Sequence, residues 1–278
     1  MYPELFSIGP VTVYSYGVLL AASYLLGLRL AMSRAKTWGL DANRVLDLGI
    51  YIIIAALVGA KLLLLVVDFD QFRSSPQDLL SLARSGGVFY GGLILAVVVA
   101  FWYIAKHRMP FWTTTDVFAP GIALGHVTGR LGCLAAGCCY GKPTDLPWGI
   151  TFTNPQALAN VGTTLGIPLH PTQLYEAGAE LLILGLLLAT ERKGRRFPGR
   201  TFWGYMLLYA ISRFVIEFFR GDPRGEVSIP GFQQLFGSIA STSQFISLVL
   251  FPLSLAMLVW LSRTQPTTPQ EQLGRKVA

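Results

Sequence analysis

Residues 46–67 read LDLGIYIIIAALVGAKLLLLVV, an almost uninterrupted apolar stretch in which Asp47 and Lys61 carry the only charges. An α-helix rises 1.5 Å per residue, so about 20 such residues cross the roughly 30 Å hydrocarbon core of a bilayer. A stretch of this length and composition predicts a membrane-spanning helix. It therefore points to the fold class of the whole chain.

The rest of the 278-residue chain has the same character, with 53% hydrophobic and only 13% charged residues. These values lie well outside those of soluble proteins. We predict an all-α integral membrane protein that forms one transmembrane domain over residues 1–278, since no internal repeat or low-complexity linker divides it. Seven spanning helices are predicted near residues 11–32, 46–67, 86–105, 115–135, 174–190, 201–220 and 242–262. Asp116, Pro120, His126 and Arg130 interrupt the fourth.

The lysines and arginines predict the orientation, because cytoplasmic loops collect them. The connections on one side of the membrane hold 13 basic residues, whereas those on the other side hold 4. The side rich in basic residues comprises residues 33–45, 106–114 and 191–200 and the tail from 263. We therefore expect the N-terminus outside and the C-terminus in the cytoplasm. Residues 1–10 carry no basic n-region, so the first helix is expected to be a retained span. The net charge of +7 fits short cytoplasmic loops and anionic lipid better than nucleic acid.

Two long connections lie on the predicted outer side, at residues 136–173 and 221–241. Loops of this length are usually functional or disordered. Prolines, Trp148 and Phe152 in the first of them indicate an ordered cap or head on the bilayer surface. The polar residues 263–278 are predicted to form a flexible cytoplasmic tail.

A polar run, Gly129 to Lys142, reads GRLGCLAAGCCYGK at the end of the fourth helix. An arginine within a membrane span costs about 2.5–3.5 kcal/mol on insertion scales, so Arg130 indicates a polar site inside the protein. His126 lies one turn before Arg130 and Cys133 about one turn after it, and the three can share a face. Gly129 allows a backbone or a ligand to come close. A histidine packed against a neighbouring helix is the simpler interpretation of His126.

Tyr209, Arg213 and Glu217 recur at intervals of four in the sixth helix and so share one face. A self-contained ion pair that serves packing is one interpretation. The other is an anion-binding pocket, because Arg130 and Arg220 add buried cations with fewer obvious carboxylate partners.

Three further side chains are candidates because they are polar groups inside or at the edge of spans. Tyr90 lies between two diglycines in GGVFYGG, residues 86–92, where an interfacial aromatic residue is the alternative. Lys61 and Tyr16 either face the same site or extend to the interface and pack.

Soft metal ligands are present in His126, Cys133, Cys138 and Cys139. Their spacing matches no standard zinc pattern, and the neighbouring arginine would repel a cation. Three cysteines within seven residues do not make a disulfide framework either. We expect no metal and no cofactor.

Several blocks occur in an order that is specific to one family. The sequence resembles the prolipoprotein diacylglyceryl transferases over about residues 7–262. The blocks are Tyr16-Gly17, Gly59 to Leu62, Gly86 to Ile94, Asp116 with Ala119-Pro120 and Gly129 to Gly132, His170 to Glu176, and Arg213 to Arg220.

The resemblance implies a transferase that moves the diacylglyceryl group of phosphatidylglycerol to the lipobox cysteine of a prolipoprotein. A thioether forms and glycerol phosphate leaves. It also implies a multi-pass protein of the bacterial inner membrane, with the active site facing the outer leaflet and no nucleic-acid partner. A leaving phosphate accumulates negative charge, which fixed guanidinium groups can stabilise.

By the same resemblance, Arg130 and Arg213 match the essential arginines, and Tyr90 stands where many members carry a histidine regarded as the base. Tyrosine is a poor base at neutral pH unless nearby cations lower its pKa. Tyr90 is therefore expected to act in catalysis by hydrogen-bonding the headgroup or relaying the proton, while Arg130 and Arg213 favour ionisation of the thiol. Cys133 replaces an asparagine, and Ala136, Gly137 and Cys138 replace a stretch that commonly holds asparagine and glutamate. The expected substrate-binding residues are Tyr16, Lys61, Asp116, Gly129, Cys133, Gly141, His170, Gln173, Tyr209 and Glu217.

Other functions remain open from the sequence. The same fold could serve a lipid transferase with a different acceptor, or a non-catalytic protein that binds or transports a lipid or an anion. The absence of an inverted repeat weighs against most transporter folds. Redox-active cysteines are a further alternative.

Overall fold

The computed structural model describes residues 2–9, 11–69, 87–193, 197–222 and 241–265. Within these ranges, seven helices are long and apolar enough to cross a membrane, which confirms the predicted all-α membrane fold. Most of the predicted 221–241 cap loop and of the 263–278 tail lies outside the described residues, as does Gly86. The orientation of the termini stays a prediction.

The elements follow one another along the chain in a simple order. They are β1 (Glu4–Ile8), β2 (Val11–Tyr14), α1 (Ser15–Thr37), α2 (Ala42–Val67), α3 (Phe89–Lys106), α4 (Phe111–Ala136), β3 (Ile150–Thr151), α5 (Pro155–Val161), β4 (Pro168–Leu169), α6 (Thr172–Lys193), α7 (Arg200–Ile216) and α8 (Thr242–Thr264). A short 3₁₀ helix, Glu217–Phe219, extends α7.

The first helix begins at Ser15 rather than near residue 11, because a β-hairpin precedes it. In the hairpin, Ser7 pairs with Thr12 and Phe6 with Val13. The run Val11–Tyr14 is rich in β-branched and aromatic residues with polar alternation, which favours a strand over a helix. Gly9 has a φ of +58°, a left-handed conformation that suits glycine in the turn.

The fourth helix is continuous through Pro120, although its polar residues made it the least regular of the predicted spans. Spanning helices tolerate proline where neighbouring groups satisfy the freed backbone atoms. The helix also starts four residues before the predicted position, just after Pro110, where the Thr114 hydroxyl donates a hydrogen bond to the Pro110 carbonyl at 2.8 Å.

The chain divides into two compact units. In the unit of residues 31–114, α2 and α3 approach so closely that a Cβ atom on Gly59 would strike the backbone of Gly91, and the reverse. The Val88 amide donates to the Ala60 carbonyl at 3.0 Å at the same place. Small residues that let helix backbones meet are typical of membrane interfaces. This contact places Lys61 and Tyr90 next to the α2–α3 crossing.

The other unit comprises residues 1–30 and 115–278. Here α1 and α4 also meet through glycine, since a Cβ on Gly27 would lie 2.8 Å from the Gly121 carbonyl oxygen. The buried core joins α4, α6 and α7, and so fixes which faces of these three helices meet. Its members are Ala119, Ala123, Ile183, Leu184, Leu187 and Tyr205.

The segment between α4 and α6 is an ordered head built on a small apolar core of Tyr140, Phe152 and Leu169. Strands β3 and β4 pair antiparallel beside it. The Gly141 amide donates to the His170 carbonyl at 3.0 Å, and the Lys142 amide donates to the Phe219 carbonyl at 2.8 Å. The end of the polar run is thereby tied both to the start of α6 and to the end of α7.

Candidate functional site

Glu176 on α6 is the centre of a buried cluster of arginines. Its Oε2 atom lies 2.5 Å from Nε of Arg130, and its Oε1 atom accepts hydrogen bonds from Arg213 at 2.8 Å and Arg220 at 2.9 Å. One carboxylate therefore joins arginines from α4, from α7 and from the residue after the 3₁₀ helix. Charge-assisted bonds of this kind are short and hold the geometry firmly.

Arg130 is bound to the cluster by only one of its nitrogens. Among the residues that the structure describes, the two terminal nitrogens of its guanidinium have no protein partner. The side chain is 18% exposed, whereas Gly129 beside it has nothing within 4 Å of where a Cβ would lie. Arg130 thus offers N–H donors that no described residue accepts.

Arg213 is held from three directions. Besides Glu176, it contacts Glu217 one turn along at 2.6 Å and donates to the Ser243 hydroxyl of α8 at 2.9 Å. Its side chain is 7% exposed. A planar guanidinium with this many fixed partners is oriented before any ligand arrives.

Arg220 forms a bidentate pair with Asp222, with both N···O distances at 2.9 Å. Burial acts to lower the pKa of the Arg220 guanidinium, but the hydrogen bonds with Asp222 and the negative charge of Glu176 outweigh burial and raise that pKa above its ordinary value. Arg220 therefore stays charged and helps to fix Glu176.

The sequence led us to expect more buried cations than carboxylates at this site, and the structure shows equal numbers. The arginines Arg130, Arg213 and Arg220 are matched by the carboxylates Glu176, Glu217 and Asp222. Buried charges are costly unless they are paired, which accounts for the balance. An anion would consequently be recognised here by the directed donors of Arg130 rather than by an excess of positive charge.

A second polar group lies one helical turn along from this cluster. Nδ1 of His126 is 2.9 Å from Oε1 of Glu180 and 3.1 Å from the hydroxyl of Tyr205. The His126 ring also stacks on Tyr209, with 5.6 Å between centroids. Tyr209 thus contacts this histidine, and it lies one turn from Arg213 on α7.

The three cysteine thiols gather after Arg130, with their Sγ atoms all within 4.8 Å of one another. All three are free thiols, and Cys139 has a left-handed φ of 63°. The pKa of the Cys139 thiol is lowered, first by hydrogen bonds with Cys133 and Cys138 and then by the positive charges of Arg220 and Arg130, against the effect of burial. No ligand is needed to explain the turn, because Thr172 donates to the Cys139 carbonyl at 2.7 Å.

Asp116 caps a helix and lies far from the arginines. Its two oxygens accept hydrogen bonds from the amides of Gly199 and Phe202, at 2.7 and 2.8 Å, at the start of α7. It is fully buried. Fourteen residues separate Asp116 from Arg130 on α4, or about 21 Å of helix. Its position indicates that it orients α7, and the predicted contact with a substrate stays a prediction.

The remaining predicted residues fall into two groups. Gln173 donates to the Cys138 carbonyl at 2.7 Å, His170 Nδ1 lies 3.2 Å from the Tyr175 hydroxyl, and Gly141 contacts the His170 backbone. These three organise the head next to the cluster. Tyr16, 40% exposed, packs its ring against Gly132.

Lys61 and Tyr90 belong to the unit of residues 31–114. Tyr90 is 45% exposed and its ring meets that of Phe89 edge to face, at 5.7 Å between centroids. Their proposed roles stay predictions.

Five residues of the site were not among the predicted ones: Glu176, Glu180, Tyr205, Asp222 and Ser243. A signal for two of them is present in the sequence. Glu176 and Glu180 are four apart on α6, as His126 and Arg130 are on α4, so each pair lies on one helix face. Ser243 carries no comparable signal.

The chain is similar to known proteins of one family. The family model described as prolipoprotein diacylglyceryl transferase matches residues 3–260. A phosphatidylglycerol–prolipoprotein diacylglyceryl transferase of Clostridium tetani is 38% identical, covering 89% of this chain and 93% of that protein. Phosphatidylglycerol–prolipoprotein diacylglyceryl transferase 2 of Clostridium perfringens is 31% identical, covering 86% of this chain and 87% of that protein. The phosphatidylglycerol–prolipoprotein diacylglyceryl transferase of Synechococcus elongatus is 29% identical, covering 96% and 90%.

Proposed function

The chain belongs to the prolipoprotein diacylglyceryl transferase family, and from that premise we propose that its arginine cluster binds the phosphate of phosphatidylglycerol during transfer. The protein is a multi-pass membrane transferase that uses phosphatidylglycerol and a prolipoprotein as substrates. The acceptor atom is the thiol of the lipobox cysteine. The products are a thioether-linked diacylglyceryl prolipoprotein and glycerol phosphate.

Arg130 carries this proposal. Its terminal nitrogens lack a protein partner among the described residues, while its Nε is fixed by Glu176 at 2.5 Å. A guanidinium held on one side presents its remaining N–H donors at a set angle, which suits two oxygens of a phosphate. Open space beside Gly129 gives the headgroup room to approach.

The cluster then stabilises the leaving group. As the carbon–oxygen bond to the phosphate breaks, negative charge grows on the departing glycerol phosphate. Donors that are already oriented, in a site poor in water, lower the energy of that charge without reorganising. Arg213 is held by Glu176, Glu217 and Ser243. It fixes the position of the Glu176 carboxylate, and so that of Arg130, and it adds positive potential.

The other predicted residues have supporting roles in this proposal. Tyr209 and Glu217 position His126 and Arg213. The head beside the cysteines is shaped by Gly141, His170 and Gln173. Cys133 lines the lipid-binding pocket, and Tyr16 lies close to the lipid headgroup. The catalytic role of Tyr90 and the substrate-binding roles of Lys61 and Asp116 stay predictions, and Asp116 also orients α7.

The positive-inside pattern of the loops supports the orientation in this proposal. We place the protein in the bacterial inner membrane with the cluster towards the outer leaflet, so that phosphatidylglycerol enters sideways and the precursor arrives from outside. We expect neither a nucleic-acid partner nor a cofactor.

The test uses purified full-length protein in phosphatidylglycerol vesicles with a peptide that carries a lipobox cysteine. Thioether formation and glycerol phosphate release are both measured. Arg130→Ala and Arg213→Ala should abolish both while the protein remains inserted, and Arg44→Ala, at an exposed site, should leave both unchanged. Near-normal turnover in either cluster variant would refute the proposed role, and a wild-type protein that releases no glycerol phosphate would refute the assignment of these substrates.

A further inference from the structure

The site has two polar layers built on the same three helices. The first joins Arg130 of α4, Glu176 of α6 and Arg213 of α7. The second joins His126 of α4, Glu180 of α6 and Tyr205 and Tyr209 of α7. On α4 and α6 the two layers are four residues apart, and Tyr209 is four residues from Arg213. The histidine layer therefore lies one turn, or about 6 Å, along from the phosphate-binding layer.

The partners of His126 determine where its proton lies. Nδ1 faces Oε1 of Glu180 at 2.9 Å, and that carboxylate is nearly buried, with 4% of its side chain exposed. A carboxylate only accepts hydrogen bonds, so Nδ1 carries the proton and donates it to Glu180. The lone pair of a neutral imidazole is then on Nε2. The His126 side chain is 39% exposed, whereas the Glu180 side chain beside its Nδ1 is 4% exposed.

The ring is also held in orientation. Tyr209 stacks on it at 5.6 Å, and the Tyr205 hydroxyl lies 3.1 Å from Nδ1. Among the described residues, the titratable and charged groups in contact with the imidazole are Glu180, Tyr205 and Tyr209, and Arg130 lies one turn away. This is the arrangement in which a buried carboxylate sets the tautomer of a histidine base and stabilises the imidazolium that forms.

We propose that His126 is the proton acceptor for the incoming cysteine thiol and that Glu180 is its positioning residue; this inference rests on the proposed transferase function. The S–H bond breaks and its proton moves to Nε2. The sulfur electron pair forms a C–S bond with the glyceryl carbon as the C–O bond to phosphate breaks, and the oxygen leaves with that electron pair as glycerol phosphate. The imidazolium then returns its proton to the departing phosphate or to water.

This assignment also accounts for the residue at position 90. Imidazole titrates near neutral pH, which makes histidine the usual general base. A phenol is a poor base there, and Tyr90 stands where a base was expected. A chain with a histidine–carboxylate pair one turn from its phosphate-binding arginine does not need a base at position 90.

The experiment compares His126→Gln with His107→Gln in the same vesicle assay, measuring transfer across the neutral and alkaline pH range. His107 stacks on Tyr103 in the unit of residues 31–114 and has no part in the proposed chemistry, so its variant should match wild type. Loss of a general base typically costs about 10²–10⁴-fold in rate. We expect such a loss in kcat for His126→Gln, with a small change in the KM for phosphatidylglycerol.

The pH dependence separates a base from a merely structural residue. A free thiol ionises by itself above about pH 8.5, so the deficit of His126→Gln should shrink as the pH rises past that value. In His126→Ala, which leaves space for the ring, added imidazole should restore part of the rate. Glu180→Gln should lose less than His126→Gln, with Glu180→Asp in between. A deficit that is equal at every pH, or a wild-type profile in His126→Gln, would overturn the inference. Either result leaves the proposed function intact if Arg130→Ala still abolishes transfer.

Discussion

Nε of Arg130 lies 2.5 Å from Oε2 of Glu176, so the arginine is anchored at its inner nitrogen and open at its outer ones. A lysine at this position has one compact charge and no second group of donors. Its single nitrogen cannot be anchored to the carboxylate and also present two further nitrogens to a phosphate. The contact with Glu176 thus fixes the direction in which the outer N–H donors of Arg130 point.

Arg130→Lys should therefore lower kcat by about 10²–10³-fold, the range seen when one transition-state donor is removed. The charge is kept, so insertion and thermal unfolding should stay close to wild type. Arg44→Lys is the matched control, since Arg44 is exposed and its ion pair with Asp41 is 3.9 Å long. Turnover near the wild-type rate in Arg130→Lys would show that the directed donors are not used.

Glu176→Gln should destabilise the protein as well as inactivate it. Removing this charge leaves three arginines facing two carboxylates in a buried cluster, and breaking a buried pair costs about 3–5 kcal/mol. The measurement is thermal unfolding in detergent, with Asp145→Asn, at an exposed position in the head, as the control. An unchanged melting temperature would mean that the cluster is far better solvated than its burial indicates.

Gly129→Ala and Gly141→Ala test two different uses of glycine. A Cβ at Gly141 would strike the backbone of His170, so that variant should misfold the head. A Cβ at Gly129 meets nothing within 4 Å, so the fold should survive while the KM for phosphatidylglycerol rises about tenfold, or about 1.4 kcal/mol. Gly178→Ala, also in open space on α6, should change neither property. Equal effects at positions 129 and 178 would remove Gly129 from the site.

Replacing Cys133, Cys138 and Cys139 together with serine should leave most of the transfer activity, and chelators should not lower it. In the proposed mechanism these thiols line the pocket and shape the turn before the head, and they neither react nor hold an ion. The measurement is the vesicle assay with and without a chelator. Complete loss of activity in an inserted, folded triple variant would favour the redox or metal alternative.

The lowered pKa of Cys139 predicts its reactivity in the wild-type protein. The thiolate is the nucleophile, and a lowered pKa means that it persists at pH values below the ordinary thiol range. Cys139 should therefore be alkylated faster than Cys133 and Cys138 at neutral pH, and its rate should fall less as the pH is lowered. Mass spectrometry of the labelled peptide reads out each position. Uniform labelling of the three would contradict the lowering of the Cys139 pKa by its hydrogen bonds with Cys133 and Cys138 and by the charges of Arg220 and Arg130.

Hydropathy predicted the seven helices because the length and apolar content of a span are local properties. The β-hairpin before α1 was missed, since the apolar residues Val11 and Val13 were counted with the helix although their alternation favours a strand. Arg130 and Arg213 were expected to be charged groups inside the protein, and the family resemblance implied their roles. Their common partner Glu176 was not predicted, because the rotation and depth of each helix decide which side chains meet. A periodic pattern in one helix does not contain that information.

The hydrogen bonds of Asp116 with the amides of Gly199 and Phe202 fix where α7 starts, and so they set the angular position of every residue after it. Each residue inserted between Phe202 and Arg213 would turn the following side chains by about 100° and move them 1.5 Å along the axis. Tyr205, Tyr209 and Arg213 would then leave both layers at once. We expect this stretch to tolerate substitutions on its outer face but no change in length. The number of residues between Phe202 and Arg213 is therefore as necessary to the site as Arg213 itself.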